Sequence, residues 1–312
     1  MVSVTAQRDP YINQPATSFD AESGVTVSGN HIGNFDNGDY VEYATANFGS
    51  DGAASIVISL AVPASNAGQQ VQIRLDSPTG TLIGTLVPQS TGSWGTYQEQ
   101  STTVTNTTGV HSIYLVASGS SGICNIQYFR FVQKDTQVSL SSAYNKYGIY
   151  TDGTSYSTGG IDGAGYSYSA TQLGTSVSYA GDTYTFGSSN ALDTVAAAGQ
   201  NITLPSGYFS ALTMIGTGTN GNQTNEPFIV TYTDGTTATI YQTFSDWSKA
   251  SGASGETTVK TMSYRNNSSG GKQTSNWNIY GYTLLLDSTK EVASIKLPSA
   301  SNVNILAMGL VG

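Results

Sequence analysis

The sequence predicts an all-β chain of two tandem β-sandwich domains. Three observations carry this. Only 10% of the 312 residues are charged, while Gly (36) and Tyr (20) are abundant, a composition suited to short strands and tight turns. Apolar residues recur in short runs separated by Gly/Ser/Thr/Asn turns. Helix signals are almost absent.

The strands follow in order. In the first half they are residues 53–62, 70–77, 81–88, 111–118 and 125–133. Val71, Ile73 and Leu75 alternate with Gln72 and Arg74, the period of a half-buried strand. In the second half, 226–247 reads as a hairpin turning at Asp234-Gly235, a dipeptide suited to positive φ. Residues 176–187 form another around Ala180-Gly181-Asp182. Segments 258–265 and 278–287 flank a polar loop, NNSSGGKQTS, and 292–298 and 303–312 close the chain.

The domain boundary is placed at QKDTQ (133–137), giving domains 1–133 and 134–312. The join has no Pro or Ser/Gly linker, which favours domains packed on each other. Three cationic and nine acidic side chains fall in the first domain, eight and eleven in the second, for a net charge of −9. Neither half has the basic surface that nucleic acid requires. No 18-residue apolar run marks a membrane span. The single cysteine, Cys124, excludes an internal disulfide framework and is read as a buried apolar residue. Low charge with many hydroxyls and amides suits contact with a neutral polymer and a secreted, extracellular location. The opening MVSVTAQRDP has no apolar signal core, so the chain is read as part of a longer secreted protein.

Residues 17–133 carry an ordered set of motifs: FDAES (19–23), IGNFDNGDYVEY (32–43), LDSPTGTLIGTLVPQSTGSWGTYQ (75–98), GVHSIYLVASG (109–119) and NIQYFRF (125–131). In that order they resemble a family 6 carbohydrate-binding module, a jelly-roll sandwich that binds sugars at the loops of one edge. The resemblance implies Trp94 as the ring on which a pyranose stacks and Asn125 as an amide bonding its hydroxyls. The C–H-rich face of a sugar buries apolar area on an indole, and an amide both donates and accepts. The family places a second aromatic where this sequence has Asn34. Asn34 is then expected to bond hydroxyls, or Phe35 beside it to supply the ring. Tyr40 matches an aromatic of a second surface, the concave sandwich face, and alternation puts Tyr43 on the opposite face. The family also carries a structural calcium. Asp20 and Glu22 match ligands of the opening strand, and Gln127 stands where the family has a closing-strand Asp, a hard oxygen without the charge.

The second domain resembles, in style only, galactose-binding-like jelly rolls appended to secreted glycosidases. Fourteen of the 20 tyrosines lie there, with Trp247 and Trp277. Residues 142–170 are too rich in Gly, Ser and Thr for regular structure throughout and read as long ordered loops. Their rings are expected either as a second sugar platform or as core residues with hydroxyls at the edge. Asp152 and Asp162, in Gly-rich loops, read as turn residues or calcium ligands.

No nucleophile, zinc or phosphate-loop motif is present. A glycosidase needs two positioned carboxylates, and the sequence singles out no pair. The expectation is a non-catalytic polysaccharide-binding portion of a larger glycoside hydrolase. Its ligand, from the resemblance, is a β-linked wall glycan such as xylan or β-glucan, and the catalytic domain lies elsewhere on the parent chain. The alternatives are a β-sandwich glycosidase or lyase within 134–312, and an adhesive surface protein.

Overall fold

The computed structural model describes residues 7–312. They fall into two compact units that meet at Lys134 and Asp135.

In the first unit, eleven strands run in chain order: β1 (Gln14–Pro15), β2 (Ala21–Ser23), β3 (Thr26–Ser28), β4 (His31–Gly33), β5 (Tyr40–Asn47), β6 (Ala53–Ala61), β7 (Gln70–Leu75), β8 (Thr81–Leu86), β9 (Gln98–Thr103), β10 (Val110–Ser118) and β11 (Asn125–Gln133). One sheet has the order β3-β4-β11-β6-β9 with β1 beside β11; the other has β2-β5-β10-β7-β8. From β4 to β11 the chain crosses repeatedly between sheets, as a jelly roll does. Alternation decides what lies between them. Val41 and Tyr43 of β5, Ile56 and Ile58 of β6, Val71 and Ile73 of β7 and Phe129 and Phe131 of β11 share one core.

The second unit continues with β12 (Thr136–Val138), β13 (Ile149–Tyr150) and β14 (Tyr166–Ser169), followed by α1 (Ala170–Leu173), a single turn capped by the Ser169 hydroxyl. Then come β15 (Ser176–Tyr179), β16 (Asp182–Thr185), β17 (Val195–Ala196), β18 (Asn201–Gly207), β19 (Ala211–Gly218), β20 (Gln223–Tyr232) and β21 (Thr237–Phe244). The chain ends with β22 (Glu256–Asn267), β23 (Lys272–Leu285), β24 (Val292–Lys296) and β25 (Val303–Val311). An eight-stranded sheet, β12-β25-β19-β23-β22-β14-β13 with β17 beside β25, faces a four-stranded one, β18-β24-β20-β21. Between them lie Leu212, Met214, Phe228, Val230 and Tyr282.

The large sheet is also covered on its outer face, where Ile215, Trp247, Met262, Trp277, Ile279 and Leu306 form a further core. This explains why ALTMIGTG is buried at every position instead of alternating: a strand covered on both faces has no polar side. The β15–β16 hairpin supplies part of that cover. Its Tyr179 lies on Gly281, where a Cβ would fall 2.5 Å from the ring, and its Tyr184 lies on Gly309, where a Cβ would fall 2.9 Å away. Glycine inside a strand here makes room for a ring.

One sequence expectation is corrected. NNSSGGKQTS is not a loop throughout, because β22 and β23 pair through Tyr264↔Thr274, Arg265↔Gln273 and Asn266↔Lys272. Only Ser268–Gly271 turns. On β23 the side chains are polar because Lys272, Gln273, Thr274 and Ser275 are exposed, and polarity alone does not prevent ladder pairing. No helix among the described residues is long and apolar enough to cross a membrane.

Candidate functional site

The loop between β8 and β9 is built around Thr91, whose buried hydroxyl accepts from the Val62 amide (2.8 Å) and donates to the Val62 carbonyl (3.1 Å). Ser93 closes a turn through Thr96. At its tip Trp94 is 39% exposed, so a large ring is offered to solvent at a fixed place. Two neighbours position it. Asn125, the first residue of β11, donates from Nδ2 to the Trp94 carbonyl at 3.0 Å. Gly122, with φ +60°, lies so near the ring that a Cβ there would be 3.2 Å from Cη2. The Gly122 amide is itself held by the Asp36 carboxylate at 2.6 Å.

Asn34, Phe35, Asp36, Trp94, Gly122, Cys124 and Asn125 line a cleft of about 400 Å³ at this edge of the sandwich. That volume lies within the range of small-molecule sites. Asn34 is exposed and adopts a left-handed backbone, φ 51°, which asparagine tolerates better than most residues. The reversal turns Phe35 inward. Phe35 is therefore corrected as a candidate stacking ring: it has no exposed surface and belongs to the core, so it can only floor the cleft. Cys124 is buried, and burial raises its thiol pKa, which keeps it unreactive.

Trp94 is thus the one exposed ring lining the cleft, and the other exposed side chains are an amide (Asn34) and a carboxylate (Asp36). The sequence reading gave no site role to Tyr97 or to His31, which lies in β4 and not in a loop. Their rings meet at 5.7 Å, and Tyr97 neighbours Asn125: burial raises the Tyr97 pKa and Asn125 acts in the opposite direction. The buried Tyr97 hydroxyl has no hydrogen-bond partner among the described residues. Tyr97 stood within the motif GSWGTYQ, three residues after Trp94, where its chemistry was legible and its position was not.

Tyr40 does not join this cleft. It lies on β5 in the other sheet, its ring 5.7 Å from that of Tyr114. Burial and Glu42 push the Tyr114 pKa up to about 12. Tyr43 points into the core, its hydroxyl donating to the Ala16 carbonyl at 2.8 Å.

Asp20, Glu22 and Gln127 do not form a common oxygen cage. Asp20 Oδ2 accepts from Arg8 Nη2 (3.0 Å) and the Ala44 amide (2.7 Å), and Glu22 Oε2 accepts from the Val25 amide at 3.3 Å. Gln127 lies on the other sheet and accepts from Ser59 at 3.3 Å. Ser59 sits between the core residues Ile58 and Leu60, so it and Gln127 stand on the face turned away from the core. Among the described residues, no three His, Cys, Asp or Glu side chains gather where a metal ion could be held. Asp20, Glu22 and Gln127, each bonded to different partners, do not gather as the expected calcium ligands.

In the second unit Trp247 and Trp277 are buried. Together with Tyr166 they enclose the Arg265 guanidinium, at 4.6, 3.8 and 3.6 Å from the ring centres. Asp162 faces that guanidinium at 3.4 Å and caps its own loop through the amides of Ala164 and Tyr166. Tyr150 and Tyr156 stack at 3.7 Å, and the Tyr156 hydroxyl donates to the Gly165 carbonyl. These rings serve as packing, so the tryptophans offer no platform. Asp152 accepts from Ser169, Tyr264 (2.6 Å), Lys272 (3.0 Å) and Asn266 (3.1 Å). Burial pushes its pKa up, but these four donors outweigh that and hold it well below the ordinary carboxylate value.

A sandwich with an edge cleft lined by one exposed tryptophan and two amides has the chemistry expected of a carbohydrate-binding module. Sequence comparison agrees. Residues 11–133 match the carbohydrate binding module family 6, and residues 133–312 match the AziU2-like beta-sandwich domain. The chain therefore belongs to the AziU2-like β-sandwich family through its larger part, and its first unit is a family 6 module, which is non-catalytic.

An arabinoxylan arabinofuranohydrolase of Paenibacillus polymyxa is 35% identical over 142 residues, covering 42% of this chain and 22% of that protein. An endo-1,4-beta-xylanase A of Thermoclostridium stercorarium is 45% identical over 107 residues, covering 34% and 20%. The chain thus spans about a fifth of the length of these relatives. A family 6 module from Clostridium cellulolyticum, solved with xylose, is 37% identical, with a TM-score of 0.38 over 40% of this chain and 98% of that one.

Proposed function

We propose that the chain binds a β-linked wall glycan such as xylan or β-glucan at the Trp94 cleft, and that it targets a larger secreted glycan-degrading enzyme to that substrate. The observation that carries this reading is the exposed Trp94 ring, set against Gly122 and tied by its carbonyl to Asn125. A pyranose laid on that ring buries its apolar face while Asn34 and Asn125 meet its hydroxyls. The relatives named above are, by name, an arabinoxylan arabinofuranohydrolase and a xylanase, and most of each lies outside the matched segment, which supports a partner catalytic domain on the same parent chain. Targeting then works by proximity, raising the enzyme concentration at an extended substrate. A secreted location follows from a polymeric ligand of this kind.

Affinity electrophoresis against soluble polysaccharides, with each lane assayed for new reducing ends, tests this. Retardation by xylan or β-glucan without new ends is expected. New reducing ends would instead assign a glycosidase or lyase to residues 134–312.

A further inference from the structure

The opening segment of the first unit is organised by a side chain. Arg8 Nη1 donates to Gln14 Oε1 (3.0 Å) and Ser18 Oγ (3.2 Å), and Nη2 donates to the Ser18 carbonyl (3.0 Å) and Asp20 Oδ2 (3.0 Å). The guanidinium also lies 5.4 Å from the centre of the buried Tyr43 ring. Its backbone is fixed as well, since the Arg8 amide donates to the Thr45 carbonyl and its carbonyl accepts from the Asn47 amide, both at 2.9 Å.

An amide, a hydroxyl, a peptide carbonyl and a carboxylate therefore aim oxygens at one positive group. That is the kind of donor set a hard divalent cation takes. Here the charge arrives on the chain, and a planar guanidinium satisfies several acceptors at once. A tethered cation neither dissociates nor depends on the surrounding metal concentration. We propose that Arg8 is a built-in cation standing in place of a structural metal, pinning residues 14–20 to the sheet edge and making the first unit's stability independent of calcium. Asp20, expected as a metal ligand, thus has the Arg8 guanidinium as its cation.

Differential scanning calorimetry of the full chain, with excess calcium or with EDTA, tests it. The wild-type transitions should coincide in both conditions. Arg8→Ala should lower the transition of the first unit by about 4 °C or more, and calcium should recover part of that loss by occupying the vacated oxygens. Arg8→Lys, which keeps the charge and loses the fork, should fall between. A wild-type Tm that drops with EDTA would overturn the proposal, and that arm needs no variant to fold. So would an Arg8→Ala protein that melts like wild type, or one that calcium leaves unmoved.

Discussion

Asn125 Nδ2 donates to the backbone carbonyl of Trp94 at 3.0 Å, so the amide expected to read sugar hydroxyls also fixes the loop that carries the ring. Asn125→Ala should therefore do two things at once, removing a polar contact and releasing the loop. A loss of about tenfold or more in glycan affinity is expected, since one hydrogen bond contributes roughly 0.5–1.5 kcal/mol and the ring adds to it. Isothermal titration calorimetry measures the affinity, and an unchanged Kd would separate Asn125 from the site.

Asn34 leaves the cleft with one ring. Asn34→Tyr should restore a second and tighten binding to an unsubstituted chain by about two- to tenfold, the range of an added aromatic contact. Because residue 34 sits at φ 51°, the same change should cost some stability. Titration alongside a thermal melt reads both effects, and affinity that falls or stays level would show that residue 34 does not face the bound sugar.

Gly281 carries the Tyr179 ring. Gly281→Ala should destabilise the second unit by about 1–3 kcal/mol, the cost of overpacking, because the added Cβ would fall 2.5 Å from that ring. Adding Tyr179→Ala should recover part of the loss despite removing the 2.8 Å hydroxyl contact with Thr283. Urea melts of the single and double variants decide it; a Gly281→Ala protein of wild-type stability would refute the packing argument.

Asp193 is fully buried. Burial raises its pKa from the ordinary 3.8 to about 7, against opposing hydrogen bonds from the Gly148 amide, Thr194 and the Ile149 amide. The folded state therefore binds this proton more tightly than the unfolded chain. Its contribution is full below about pH 4 and is lost as pH rises to about 7, on the order of 4 kcal/mol in all. Asp182, raised by burial and by Asp135, acts in the same direction. Asp152, with its lowered pKa, acts oppositely but only below pH 3.8. Between pH 4 and 7 the melting temperature of the second unit should fall, and Asp193→Asn should flatten the slope. A wild-type Tm that rises across that window would contradict this.

Much of the fold was legible because alternation is local. Val71, Ile73 and Leu75 announced which face of β7 is buried, and Asp234-Gly235 announced its hairpin. The outer core of the second unit was not legible, since its cover comes from loops and a hairpin distant in sequence. Trp247 and Trp277 looked the same on paper whether they were platform or packing, and only the approach of Arg265 decides. In the cleft, the motif order located Trp94, Asn125 and Asn34. It could not show that a left-handed residue 34 turns Phe35 into the core. Nor could it show that Asp20 faces Arg8, because that contact spans twelve residues of irregular chain.

The central claim is that a sugar stacks on Trp94. Calorimetric titration of soluble xylan and β-glucan into wild type and Trp94→Ala, each checked by its melting temperature, tests it most directly. Wild type should bind at least one of these glycans, and Trp94→Ala should bind it at least about tenfold more weakly with little change in Tm, since the ring is exposed. A folded Trp94→Ala protein that binds with wild-type affinity would contradict the assignment.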